Sequence, residues 1–223
     1  MKEGNRISVV IPTLNEEENI ARVLREIPKY IDEVIVVDGH SKDKTVEIAR
    51  RYGVKVIFDD VGKGSALRKG MKNATGDIII MMDADCSHIP EEMPLLIAGI
   101  ESGYDICMGS RFIQGGGSED ITLLRKLGNK FFIFLVNLIW KMNYSDLCYG
   151  YRSLRKDCVE KLDLESDGFG IETEISIRAA KKGLRVLEVP SFEKKRHSGE
   201  GKLRTFRDGF VILKRIIREL FRD

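Results

Sequence analysis

The sequence predicts an α/β fold: a mostly parallel sheet with helices on both faces, closed by an amphipathic basic helix. Three observations carry this. Short β-branched runs alternate with periodic segments over the first half of the 223 residues, the pattern of strands joined by helical crossovers. The run at residues 78–82 has no polar side chain, as a strand buried on both faces requires. Two of the runs stop directly at an aspartate, Asp38 and Asp83, at the sheet edge where open α/β sheets bind ligands. With 43% hydrophobic residues and no Pro/Gly/Ser-rich linker, one domain over residues 1–223 is expected.

Residues 7–11 form the first strand, followed by Pro12-Thr13-Leu14-Asn15-Glu16-Glu17-Glu18-Asn19 and a periodic helix to Ile27. Glu17 and Glu18 suit the positive end of the helix dipole. Asn15 and Glu16 sit nearer the strand end, within reach of a ribose or base. Residues 34–37 form the second strand and Asp38 follows it, where an acid commonly takes a ribose hydroxyl or base donor. Ser41 and Asp43 read as turn and helix-cap residues. Residues 54–58 lead into Gly62-Lys63-Gly64. This is not a Walker A loop, which would need glycine at Ile57 and Ser or Thr at Gly64. Lys63 or Arg68 facing a diphosphate, and close packing of the glycines, explain the segment equally well.

The fourth strand ends in Asp83-Ala84-Asp85. Side chains at i and i+2 of an extended backbone share a side, so the two carboxylates can converge on one divalent cation. A helix opens at His88-Ile89-Pro90, and residues 104–108 form a fifth strand ending in Gly109-Ser110-Arg111-Phe112. The glycines of residues 114–118 suit a lid or an exposed connection. Residues 131–142 are apolar almost all round: a core helix, or one lying in a membrane interface. They are too few to span a bilayer. Residues 146–152 read as strand or turn, 168–174 open a helix running to about Lys182, and 185–189 form the last strand. His40, His88 and His197 are too scattered for a metal site and read as loop or cap residues.

From residue 203 onward, Leu203, Phe206, Phe210, Leu213, Ile217 and Leu220 share one side of a helix, with Arg204, Arg207, Arg215, Arg218 and Arg222 on the other. Residues 194–223 hold ten Lys/Arg against four Asp/Glu, a balance that favours an anionic surface or ligand. The helix is either packed on the domain or anchored on a membrane. As an anchor, its Arg215, Arg218 and Arg222 would tolerate charge reversal without loss of the fold. Four cysteines without Cys-x-x-Cys or zinc spacing, and no signal peptide before the first strand, fit a reducing, cytoplasmic setting. Nucleic acid is not an expected partner.

Six motifs stand in the order found in family 2 glycosyltransferases: residues 8–16, 37–45, 83–85, 109–112, 146–152 and 196–203. Together they resemble the polyprenyl-phosphate sugar synthases, the enzymes that make dolichyl-phosphate mannose and glucose. The resemblance implies a GT-A fold, Rossmann-like in its nucleotide half, and a nucleotide-sugar donor such as GDP-mannose or UDP-glucose. Residues 1–112 would then be the nucleotide-sugar half, 113–202 the acceptor half and 203–223 the closing helix. Asp38, with Pro12 and Glu16 nearby, would hold the nucleoside. Asp83 and Asp85 would bind Mg2+ or Mn2+, with Ser87 as third contact where the mannose synthases commonly carry glutamine. Arg111, Arg125 and Arg196 resemble the arginines that clamp the acceptor phosphate, with Lys202 as a helper. Gly39, Asn129 and Gly201 depart from the usual pattern. The expected reaction is metal-dependent, inverting transfer of a hexose to a polyprenyl (dolichyl) phosphate by a protein lying peripherally on the membrane. The alternatives are a hydroxyl acceptor, with Glu172 or Glu174 as base, and a silent nucleotide-sugar binder.

Overall fold

The computed structural model describes residues 4–222. Strands β1 (Ile7–Thr13), β2 (Glu33–Asp38), β3 (Lys55–Phe58), β4 (Ile78–Met81) and β5 (Ile106–Ser110) come from the first half of the chain. A two-residue strand, β6 (Gly117–Ser118), precedes β7 (Arg152–Arg155), β8 (Val186–Pro190) and β9 (Phe192–Glu193). The main sheet runs β3-β2-β1-β4-β7-β5-β8, and β6 pairs with β9 in a small second sheet. Every pair of the main sheet is parallel except those made by β7, which lies antiparallel between β4 and β5.

The helices are α1 (Ile20–Glu26), α2 (Thr45–Arg51), α3 (Lys63–Asn73), α4 (Met93–Glu101), α5 (Leu123–Trp140), α6 (Lys156–Leu162), α7 (Ile171–Lys181) and α8 (Thr205–Leu220). Alternation along the central strands divides the core between two faces. Ile79 and Met81 of β4 join Leu67, Met71, Phe132, Ile175 and Ile212 on one side. Ile78, Ile80 and Met82 join Ile20, Val23, Met93 and Leu96 on the other. The apolar run is therefore covered on both faces, as its composition predicts.

β7 is less legible because its first residue is an arginine. Arg152 is fully buried in mid-sheet, and its guanidinium is satisfied by donating to the carbonyls of Tyr149, Leu147 and Glu172 and to Ser176 Oγ. A buried cation so partnered is tolerated.

Two helices correct the sequence expectation. Helix α5 is not a core helix: Phe132 and Val136 are buried, whereas Leu123, Leu127, Phe131, Phe134 and Leu138 are exposed. Helix α8 is turned about. Ile212, Ile216, Asp208 and Glu219 face the domain, while Phe206 (82% exposed), Phe210 (68%) and Ile217 face outward. Arg215 lies inward among Glu165, Glu174 and Glu219, with Arg178 of α7 joined to the same acids. Arg218 and Arg222 pair with Glu165 as well. Arg215 is thus docked and Arg222 partly covered, so triple charge reversal of Arg215, Arg218 and Arg222 would not spare the fold.

Candidate active site

Beyond the carboxyl ends of β1 and β4 lies a cleft of about 840 Å3. Its floor holds Pro12, Glu16, Asp83 and Asp85, one side is built by Asp59, Asp60, Val61, Gly62 and Lys63, and α5 and α8 form the far wall. One end is therefore carboxylate-lined. The wall from α5 and α8 adds Leu124, Phe131, Phe132, Phe206, Phe210 and Leu213, together with Arg125, Arg207 and Asp208.

β4 stops at Met81, and the chain bends through Asp83-Ala84-Asp85, with Cys86 at φ 65°. The two aspartates reach the cleft from this bend rather than from an extended strand, and each meets a different cation. Lys63 Nζ lies 2.8 Å and 3.0 Å from the two Asp83 oxygens and 3.0 Å from Glu172 Oε1. Burial alone would favour neutral lysine, but the two carboxylates outweigh it and hold the Lys63 pKa above its ordinary value. Burial likewise opposes ionisation of Asp83, and Lys63 reverses the balance, leaving its pKa lowered. Arg196 lies 3.0 Å from Asp85 and 3.1 Å from Glu16, which also pairs with Lys202 at 2.7 Å.

His88, read from sequence as a loop residue, is buried beneath this bend. It stacks on Tyr151, and its Nδ1 accepts the Asp83 N–H at 3.1 Å. Burial lowers its pKa and favours the neutral ring that can accept. Ser87 does not face the cleft: its hydroxyl and N–H both donate to Asp85 Oδ1, at 2.6 and 3.0 Å. It orients that carboxylate instead of standing beside it as a third metal contact. Among the described residues no group of three or more His, Cys, Asp or Glu surrounds a common point. Asp83 and Asp85 still supply hard oxygen donors, which fit Mg2+ or Mn2+ when substrate phosphates complete the coordination.

The three expected arginines divide. Arg111, at the end of β5, is gripped by Asp146 at 2.7 and 3.0 Å and by Glu193 at 3.0 Å, with its guanidinium 4.8 Å from the Tyr149 ring. Burial works against its charge, but Asp146 and Glu193 overcome this and raise its pKa. Asp146, fully buried, also accepts from Asn129 Nδ2 and the Cys148 N–H. Arg125 differs: it donates to the Leu203 carbonyl at 3.0 Å and Thr205 Oγ1 at 3.4 Å, and no carboxylate pairs with it among the described residues. Its charge is left for an anion. Ion pairing is thus found in Arg111 and not in Arg125.

Four further groups are placed as follows. Asp38 is fully buried and accepts from Thr13 Oγ1, Ser41 Oγ and the Ser41 N–H. It braces the loop, while Asp59 and Asp60 after β3 line the cleft. The same signal, an acid after a strand, would have found them. Asn15 accepts from the Lys42 N–H and links two loops without lining the cleft. The glycines near Lys63 serve packing: a Cβ on Gly64 would lie 2.3 Å from the Ser166 carbonyl. The Gly64 and Ser65 N–H groups both donate to Asp167 O, so this helix start offers them to no phosphate. Glu174 faces Arg178 and Arg215, away from the cleft; Glu172 lies in the cleft but is held by Lys63.

A cleft at the carboxyl edge of a mostly parallel sheet, floored by two aspartates and backed by an arginine with no carboxylate partner among the described residues, is an arrangement suited to group transfer. Residues 8–163 match Glycosyl transferase family 2, and the chain belongs to that family. It is 39% identical over 211 residues to a dolichol-phosphate mannosyltransferase of Pyrococcus furiosus, covering 89% of this chain and 59% of that protein. The chain thus spans about three fifths of that relative. It is 32% identical to a dolichyl-phosphate hexose transferase of Haloferax volcanii, covering 95% of this chain and 92% of that one. Among solved structures, glucosyl-3-phosphoglycerate synthase from Mycobacterium tuberculosis bound to UDP superposes with a TM-score of 0.76 at 21% identity, over 97% of this chain and 80% of that one. The fold is GT-A.

Proposed function

We propose that this protein transfers a hexose from a nucleotide sugar to a polyprenyl phosphate, with inversion at the anomeric carbon and with Mg2+ or Mn2+, on the cytoplasmic face of a membrane. The observation that carries the reading is the polarity of one cleft, acidic under β4 and richer in apolar side chains around Arg125. A donor diphosphate suits the first end, and an acceptor with an anionic head and hydrocarbon tail suits the second. The names of the two dolichyl-phosphate relatives support the same acceptor.

Asp83 and Asp85 would hold the cation, which when bound neutralises charge on the departing nucleoside diphosphate. The acceptor phosphate, with a second pKa near ~6, is largely dianionic at neutral pH and requires little base catalysis. Arg125 and Arg196 would orient it by hydrogen bonds to its oxygens. An acceptor oxygen attacking opposite the leaving group forms the new bond to the sugar as the bond to diphosphate breaks, which inverts the centre. Arg111, engaged by Asp146 and Glu193, would shape the wall of this site. Residues 1–112 would serve mainly the donor and 113–202 the acceptor.

The outward apolar faces of α5 and α8 support docking on a bilayer. Lys130, Arg204, Arg207 and Lys214 are exposed beside them, a charge complementary to anionic headgroups. No helix among the described residues is long and apolar enough to cross a membrane. Cys86, Cys107, Cys148 and Cys158 are free thiols, in keeping with a reducing compartment. The test is label transfer from radiolabelled GDP-mannose and UDP-glucose into a short polyprenyl phosphate, with either metal and with an Asp85→Ala control. Metal-dependent label in the lipid, lost in the control, is expected. Donor binding with no transfer to lipid would overturn the acceptor assignment.

A further inference from the structure

We infer that Lys63 and Arg196 are exchangeable counter-cations: they close the seat between Asp83 and Asp85 to a bare divalent cation and release it when a nucleoside diphosphate arrives. The inference rests on the reading of these aspartates as the cation seat. Lys63 Nζ bridges both Asp83 oxygens at 2.8 and 3.0 Å. Arg196 takes Asp85 Oδ2 at 3.0 Å, and Ser87 occupies Oδ1. Every oxygen of the pair is engaged.

A dication entering alone would have to displace an ammonium and a guanidinium while meeting their like charge at short range. A diphosphate changes this balance, because it offers both displaced cations new anionic oxygens. Each also has a second carboxylate beside it. Glu172, 3% exposed, holds Lys63 at 3.0 Å, and Glu16, 5% exposed, holds Arg196 at 3.1 Å. These buried acids keep the freed side chains at the cleft instead of letting them swing into solvent. Metal and nucleotide thereby bind with positive coupling, each raising the affinity of the other by the same factor. After release Lys63 becomes a contact of the diphosphate, and Arg196 one shared between the diphosphate and the acceptor phosphate it orients.

The experiment measures Mn2+ binding to the full chain from the paramagnetic resonance of free Mn2+, alone and with saturating GDP or UDP. It is repeated on Lys63→Met and Arg196→Met, with circular dichroism confirming the fold. In the wild type, the nucleotide that binds should tighten Mn2+ by about a hundredfold, within the usual range of coupling. Each variant should bind bare Mn2+ about tenfold tighter than wild type and show weaker coupling. Equal Mn2+ affinity with and without bound nucleotide in the wild type overturns the inference even if both variants misfold. So do folded variants that gain nothing. Nucleotide binding with no Mn2+ binding in any protein would instead remove the cation seat itself, and the proposed metal dependence with it.

Discussion

Arg215 Nη1 lies 3.2 Å from Glu174 Oε1, so this arginine of α8 faces the domain while Phe206 and Phe210 look outward. The Arg215 side chain is only 10% exposed, and breaking a buried pair leaves an uncompensated charge. Arg215→Glu should therefore cost about 3–5 kcal/mol of stability, read from denaturant unfolding. Phe206→Ser with Phe210→Ser removes side chains already in solvent and should leave the midpoint nearly unchanged. Flotation with anionic vesicles should fall in that double variant. Retained flotation would show that this face is not the docking surface.

Arg111 and Arg125 should separate in the same two assays. Arg111→Gln strands Asp146 and Glu193 in a buried setting and should lower stability by about 3–5 kcal/mol. Arg125→Gln leaves no acid unpaired, so the melting temperature should hold while the acceptor KM rises. A stability loss in Arg125→Gln matching that of Arg111→Gln would contradict this division.

Gly64→Ala tests the packing origin of the Gly62-Lys63-Gly64 segment. The added methyl would meet the Ser166 carbonyl at 2.3 Å and that of Gly168 at 2.8 Å. Overpacking against backbone costs typically about 1–3 kcal/mol. Gly128→Ala, with nothing within 4 Å of the added carbon, is the control and should be neutral or slightly stabilising in its helix.

The thiols set a pH dependence. Burial pushes Cys86 and Cys158 up to about 11 and Cys107 and Cys148 up to about 12. At pH 8 the native chain should react with iodoacetamide at least about a hundredfold more slowly than free cysteine, since the thiolate is the nucleophile. Unfolded thiols ionise near their ordinary value of 9.0 while the native ones hold their protons. Their contribution is thus intact below about pH 9 and is lost as pH rises toward the folded values. Urea midpoints measured across this interval should fall with pH. Rapid alkylation at pH 8 in the folded state would refute the assignment.

Much of the fold was legible because its signals are local. β4 announces itself by a run of residues that no solvent-facing strand could carry, and the alternation of strand and helix implies parallel neighbours. β7 was obscured by Arg152, whose burial depends on carbonyls supplied by distant segments. The site was legible in part for the same reason. Asp83, Asp85, Glu16 and Arg196 share one cleft, but Asp38 and Ser87 are turned to bracing roles by hydrogen bonds no spacing reveals. Asp59 and Asp60 carry the same strand-end signal as Asp38, and only the tertiary structure shows that they, and not Asp38, line the cleft.

Residue order alone determines the strand and helix register, the family, and the presence of an amphipathic basic helix at the end of the chain. Which side of that helix meets the domain is a tertiary matter. Helical periodicity separates the arginines of α8 from its phenylalanines but cannot say which set finds partners. Glu165, Glu174 and Glu219, brought together with Arg178, supply them for Arg215, Arg218 and Arg222. The pairing of Lys63 with Asp83 was decided in the same way, between residues twenty positions apart in the chain. Charges are settled by the opposite charges that folding places beside them, and that placement is long-range.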